Sequence, residues 1–378
     1  MTSNSMEELM KNLAKLCHGI SAAVIFIGAI GFAAQAAAQT APLEIPWVKE
    51  WASSGHARFN EEPFIHWNDE GAVPPACARC HTTTGFQDYI GADGSAAGKV
   101  EKPHLIGQVI SCVACHNKAT LNLTEVTFPS GLKISKLGSE ARCMTCHQGR
   151  ESTVSMDKSL AGKAEDDVFE KLKFLNIHYR AAAATRYGTE AKGGYEYSGK
   201  TYVGLYTHDK SSTVCKDCHT LHTFRVDVVN CNLCHRTVKK TKDFTAIRRT
   251  AGDFNGNGDE KEGIAKEIEG LHKALYGAIQ EYGSKNANKP IVYDPHSYPY
   301  FFNDKNTNGK VDKGEAIYPN RYQSWTPRLL KAAYNFQFIA KDPGTYTHNP
   351  KYALQLLYDS LESLSQKAKV DMANMQRP

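Results

Sequence analysis

The pentapeptide C-x-x-C-H occurs five times, at Cys77–Cys80–His81, Cys112–Cys115–His116, Cys143–Cys146–His147, Cys215–Cys218–His219 and Cys231–Cys234–His235, and takes up ten of the eleven cysteines. Thiols at this spacing can each form a thioether to one vinyl group of a haem, and the histidine that follows can reach the iron as proximal ligand. Zinc ribbons and C-x-x-C redox centres also use paired cysteines, but neither needs a histidine directly after the second one. Five covalent haems between residues 77 and 235 would form much of that region's apolar core themselves. Little regular secondary structure is then required, and loops with short helices are expected.

The eleventh cysteine, Cys17, lies in a segment that reads as an export signal. Lys11 and Lys15 precede an apolar stretch from Ile20 to Ala34, and Ala36-Ala37-Ala38 offers a small-residue cleavage site. As an uncleaved anchor the stretch is at the short end of the roughly 17–25 residues that span a bilayer. Membrane association follows only if it is retained. Cys17 precedes the apolar stretch, whereas a lipoprotein cysteine would follow it. Haem attachment takes place outside the cytoplasmic membrane in bacteria, so signal and motifs agree on a periplasmic or extracellular, cell-surface location.

The motifs also divide the chain. Residues 1–38 are the signal, 39–245 a five-haem domain, and 246–378, which hold no haem motif, a second domain. The expected fold is mainly α with extensive loops and a few short hairpins: a haem-packed domain followed by a helical one. The formal charge of +5 is not a sign of nucleic-acid binding. Ten haem propionates, offset by up to five ferric centres, bring the loaded protein to between about −5 and 0.

Spacing adds local detail. Only residues 220–230 separate motifs four and five, so their haems must be neighbours. Leu121-Asn122-Leu123 and Lys133-Ile134 flank Pro129-Ser130-Gly131 as a hairpin. In the insertion between motifs three and four, Val168, Leu172, Leu175, Tyr179 and Ala182 recur at helical spacing, predicting a helix over about 165–187. Tyr195 to Val203 alternates around Ser198-Gly199 and predicts a second hairpin.

The sixth ligand of each iron separates a carrier from a haem enzyme. Outside the signal and the motifs there are nine histidines: His56, His66, His104, His178, His208, His222, His272, His296 and His348. Only Met156 is a well-placed methionine. Supply favours bis-histidine ligation and low potentials.

From about Trp47 to His235 the chain resembles a multihaem c-type cytochrome. The resemblance implies distal histidines from a segment before the first motif, from insertions and from positions just after a motif. His56 fits the first place, His178 and His208 the second, and His222 the third. His222 follows His219 too closely to turn back on its own haem and would serve a neighbour. His348, before Pro350 at the start of an apolar helix, is the fifth candidate, with His296, His104 and His66 as competitors. The resemblance further implies closely packed haems that exchange electrons by tunnelling.

The haem-free part carries a second chemistry. Asp304, Asn306, Asn308, Lys310, Asp312 and Glu315, with Gly309 at the turn, fit the EF-hand calcium loop at every ligand position, Lys310 through its carbonyl. Asp253, Asn255, Asn257 and Asp259 begin the same pattern, but Ile264 stands where the last carboxylate belongs, leaving Glu262 as substitute in a shorter loop. The competing reading of both is a polar Asn/Asp/Gly turn. Around them, Ile264 to Tyr282 forms one apolar helical face, Thr326 and Pro327 open another helix, and Pro350 to about Gln366 a last one. Tyr298 to Phe302 does not read as an EF-hand entering helix, so Ca2+ is expected to act as a structural clip.

The leading functional expectation is an exported pentahaem electron carrier between redox proteins or external acceptors such as metal oxides. A filament, with a histidine ligating a neighbouring subunit's haem, is compatible with this, though histidine supply does not require it. The alternative is a multihaem reductase or oxidase of a small nitrogen or sulfur compound with one open haem, although no motif has an altered proximal residue. A haem subunit docked on a membrane or surface complex would share the carrier chemistry.

Overall fold

A single helical turn places residues three apart on one face, and this is how the cysteine pairs are presented. Short helices α1 (Pro75–His81), α3 (Cys112–Cys115), α4 (Glu140–Met144), α5 (Cys215–Cys218) and α6 (Val228–Asn232) each hold or begin one motif, and α2 (Thr83–Tyr89) follows α1 directly. The structure, a computed structural model, describes residues 45–209 and 213–378. The export signal and Cys17 lie outside the described residues. Thr82 separates α1 from α2 by accepting the Gly85 amide at 2.9 Å. Gly85 is needed for the close approach, since a Cβ there would lie 2.4 Å from the Ala78 carbonyl oxygen. In α6, Asp227 caps the helix by accepting the Val229 and Asn230 amides.

The chain is mainly helical with many loops, and its sheets are antiparallel two-stranded pieces. β1 (Ala72–Val73) pairs with β2 (His104–Leu105), β3 (Val126–Thr127) with β4 (Lys133–Ile134), and β5 (Ile291–Tyr293) with β6 (Phe301–Asn303). The first predicted hairpin is thus present around Pro129-Ser130-Gly131. Its leading strand is Val126–Thr127, because Leu121 and Asn122 end the preceding helix Lys118–Asn122.

Three long helices follow the motifs: α7 (Ile264–Lys285), α8 (Pro327–Lys341) and α9 (Pro350–Ser365). Their starts are those expected, with Thr326 accepting the Leu329 amide before Pro327 and Asn349 accepting the Tyr352 amide before Pro350. α7 buries Ile268, Leu271, Leu275, Ile279 and Tyr282, whereas α8 is buried nearly all round. Residues 50–378 form one compact unit. Within it a continuous apolar core runs from Val126 to Ala368 and centres on Trp325, packed against Phe174, Phe301 and Tyr322.

Two predictions for the insertion are corrected. Residues 165–181 are not helical, and a helix begins only at Ala182–Tyr187. The periodic apolar residues there pack individually while the backbone bonds elsewhere: Phe169 N–H to Trp325 O, Arg180 N–H to Lys341 O, and Ile177 O to Arg150 N–H. Positive φ at His178 (77°) and Arg180 (58°) is incompatible with a continuing helix. Residues 195–203 turn at Ser198-Gly199 but form no ladder, because side chains take the backbone groups. Asn335 of α8 accepts the Tyr195 amide at 2.7 Å and donates to its carbonyl at 2.9 Å, and Gln355 of α9 accepts from Val203.

Asn335 is fully buried and also donates to Ser360 at 3.0 Å. Asn335→Ala leaves both Tyr195 backbone groups unpaired in the core and should destabilise the holoprotein by about 2–4 kcal/mol, read as a lower urea midpoint with the haem spectrum unchanged.

Candidate haem and calcium sites

Each of the five motif histidines faces one other histidine. The ring-centroid separations are 5.8 Å for His81 and His178, 6.0 Å for His116 and His222, 6.2 Å for His147 and His56, 6.5 Å for His219 and His348, and 5.8 Å for His235 and His208. Two metal–nitrogen bonds of about 2 Å plus the half-widths of two imidazoles span about 6 Å, so the pairs fit an axially ligated iron. His222, with a left-handed backbone (φ 69°), pairs with motif two rather than with its own motif four.

The other ring nitrogen is fixed in several cases. Nδ1 of His81, His147 and His219 lies 2.7, 3.1 and 3.2 Å from the carbonyls of Pro63, Arg180 and Phe224, which aims Nε2 at the partner ring. Burial, with His147 nearby, pushes His56 down to about 4, and burial beside His81 does the same to His178. Burial also lowers His81, His147, His219 and His235. Neutral imidazole is the form that binds metal.

Motif three touches three others. Cys146 Sγ is 3.7 Å from the Arg79 carbonyl of motif one, Arg142 donates to the Cys115 carbonyl of motif two at 3.2 Å, and Glu140 of α4 receives the Cys215 amide of motif four at 3.1 Å. Motif four meets motif five through Asp227, whose amide donates to the Cys218 carbonyl at 2.8 Å. All ten described cysteines are free of disulfides.

The remaining histidines have other partners. His104 is buried between Asp88 (3.0 Å) and Thr84 (2.9 Å). His272 stacks on Phe336 at 4.0 Å and bonds its carbonyl, with burial pushing it down to about 4. Exposed His66 contacts Glu62, and His296 is exposed beside Asp294.

In the second polar loop, Asp304 receives the Asn308 and Gly309 amides, while Glu315 receives those of Lys305 and Asp312. Asn306 and Asn308 donate to Asp312 at 2.6 and 2.7 Å. Asp304 and Glu315 are buried, and among the described residues neither is ion-paired with a cationic side chain. No three His, Cys, Asp or Glu side chains converge among the described residues. A cation here would instead draw on two amides and the Lys310 carbonyl as well.

The first loop has the same plan with different residues. Glu262 receives Asn255 and Asn257, as Asp312 does in its loop, at 2.6 and 3.0 Å. Buried Glu267 receives the Phe254 and Asn255 amides, the place of Glu315. Sequence reasoning missed Glu267 because it lies one helical turn beyond the pattern's last position, in α7. Arg248 donates to Glu267 at 2.6 Å, so a guanidinium already balances this carboxylate.

Paired thiols with facing histidines are suited to holding c-type haem, and comparison with known proteins points the same way. Residues 63–148, which hold motifs one to three, match the family described as cytochrome c7 and related cytochrome c, and this family implies covalently bound haem c. The chain is 29% identical to the C-type polyheme cytochrome OmcC of Geobacter sulfurreducens, over 79% of this chain and 44% of the relative. It is 28% identical to OmcB of the same species, over 79% and 45%. It therefore spans less than half the length of these curated relatives. No solved structure matches it. Among the described residues no helix is long and apolar enough to cross a membrane.

His104 tests the distinction between latch and ligand. His104→Ala should leave the haem spin states unchanged and destabilise the protein by about 2–4 kcal/mol, because it leaves the buried Asp88 carboxylate short of a partner, measured by paramagnetic resonance and urea unfolding.

Proposed function

We propose that this chain holds five bis-histidine haems and passes single electrons along them between redox partners. The five facing histidine pairs carry the reading. The facing histidines would hold haem iron from both sides, and the bound haem would supply one-electron ferric/ferrous chemistry. The chain's residues orient several of these rings, and partial burial favours the neutral form of His56, His81, His147, His178, His219 and His235. With one facing histidine per motif inside the chain, no ligand from a neighbouring subunit is required. The motif contacts support a spatial order in which motif three is a junction to motifs one, two and four, and motif four leads on to motif five. The likeness to polyheme c-type cytochromes supports electron transfer as the activity. Export, a periplasmic or cell-surface location and an external electron acceptor complete the proposal.

Low-temperature paramagnetic resonance of the oxidised holoprotein should show five low-spin haems, and the reduced form should not bind carbon monoxide. His222→Ala should convert one haem to high spin and bind one carbon monoxide per chain. Five low-spin haems in that variant would sink the assignment of His222.

We propose Ca2+ as a structural ion in the Asp304–Glu315 loop, supported by its buried, unpaired carboxylates and its ligand pattern. The Asp253–Glu262 loop is the weaker candidate, since Arg248 already serves its carboxylate. Chelation should lower the holoprotein's thermal midpoint, and calcium at a hundred times its dissociation constant should restore about 2.7 kcal/mol. Asp304→Ala should abolish that response.

A further inference from the structure

The histidine pair at motif four has a buried carboxylate standing behind it. His348 Nδ1 lies 2.9 and 2.8 Å from the two carboxylate oxygens of Asp342, which is only 3% exposed. The other resolved Nδ1 hydrogen bonds of the axial histidines, those of His81, His147 and His219, go to neutral backbone carbonyls. His208 has Asp209 at 3.7 Å, beyond hydrogen-bond distance and exposed to solvent, where water and salt screen the charge.

The surroundings of Asp342 favour a fixed anion. Its carboxylate accepts the Gly344 amide at 3.2 Å, and His348 and the polar groups around it hold its pKa below the ordinary carboxylate value despite burial. The adjacent Lys341 turns its ammonium to the Tyr179 and Tyr300 rings and the Pro295 carbonyl. A Cβ at Gly344 would lie 2.6 Å from Cε1 of His348, so glycine lets the ring seat closely against this turn. Asp342 and Gly344 together hold His348 with Nε2 free for His219.

We infer that Asp342 is a positioning residue that lowers the reduction potential of the haem bound at motif four, acting through His348. The inference rests on the proposed His219–His348 ligation. A carboxylate behind the imidazole makes it a stronger donor. Adding one electron changes the haem core from +1 to neutral, so a nearby buried anion favours the ferric form and opposes reduction. His219 and His147 also lie within the field of Asp342, so a smaller effect at motif three is expected. Since motif four connects the junction at motif three to motif five, Asp342 would place an energetic step between the first three haems and the fifth.

The test is spectroelectrochemical titration of the purified holoprotein and its Asp342→Asn variant. One of the five one-electron components should move upward by at least about 59 mV, a tenfold change in its reduction equilibrium, with the haem still low-spin. Asp342→Glu should return most of that shift. His348→Ala separates the two levels of the claim: it should produce one high-spin, carbon monoxide-binding haem, and five low-spin haems would overturn the ligation itself. If His348→Ala opens a site but Asp342→Asn moves no potential, the ligation stands and the role of Asp342 is overturned. A high-spin haem in Asp342→Asn would also overturn potential tuning, leaving a purely steric role in holding the ring.

Discussion

The structure depends on histidines that meet across long stretches of chain. His81 meets His178, His147 meets His56 from before the first motif, and His219 meets His348 near the far end of the sequence. A metal bridging each pair would close these loops as a disulfide does, with the largest entropic effect for the widest separation. Binding would then be coupled to folding. This accounts for a polypeptide between residues 50 and 245 made of helices of one or two turns and two-residue strands, since the elements need only present cysteines and histidines.

The helical part has a different basis of stability. α7, α8 and α9 bury an ordinary apolar core around Trp325, yet the insertion between motifs three and four is part of that core. Tyr195 is hydrogen-bonded by Asn335, Arg328 forks onto Asp166, and Phe174 lies against Trp325. The same insertion carries His178, and His348 sits in the turn between α8 and α9. The haem-free helices therefore hold the segments that supply two of the facing histidines. Displacing a long helix would move a ring toward or away from its partner.

What could be read from the sequence followed from how local each signal is. The C-x-x-C-H turns, the Thr326 cap, the start of the last helix at Pro350 and the apolar face of α7 are set within a few residues, and they appear where expected. The insertion was misread because its apolar spacing imitates a helix while its backbone is bound to distant partners, such as the Lys341 and Trp325 carbonyls. The pairing of particular histidines is likewise a tertiary property. Spacing could say that His222 would not turn back on motif four, but not that it would meet His116. Glu267 was illegible for a similar reason, because it reaches the first polar loop from a helix rather than from within the loop.

The order of the motifs in space is not their order in sequence, and this affects how the chain could conduct. A linear wire has two ends, and the loss of any interior member breaks it. Here α4 and motif three touch motifs one, two and four, while among the described hydrogen bonds motif five meets motif four. Electrons entering at motif one or motif two would converge on motif three and leave through four and five, or divide in the reverse direction. Selection between the branches then depends on relative potentials as well as distance. A consequential place for a potential-setting group is the step beyond the junction, and it is there that the buried carboxylate of Asp342 stands behind His348, the histidine that faces motif four.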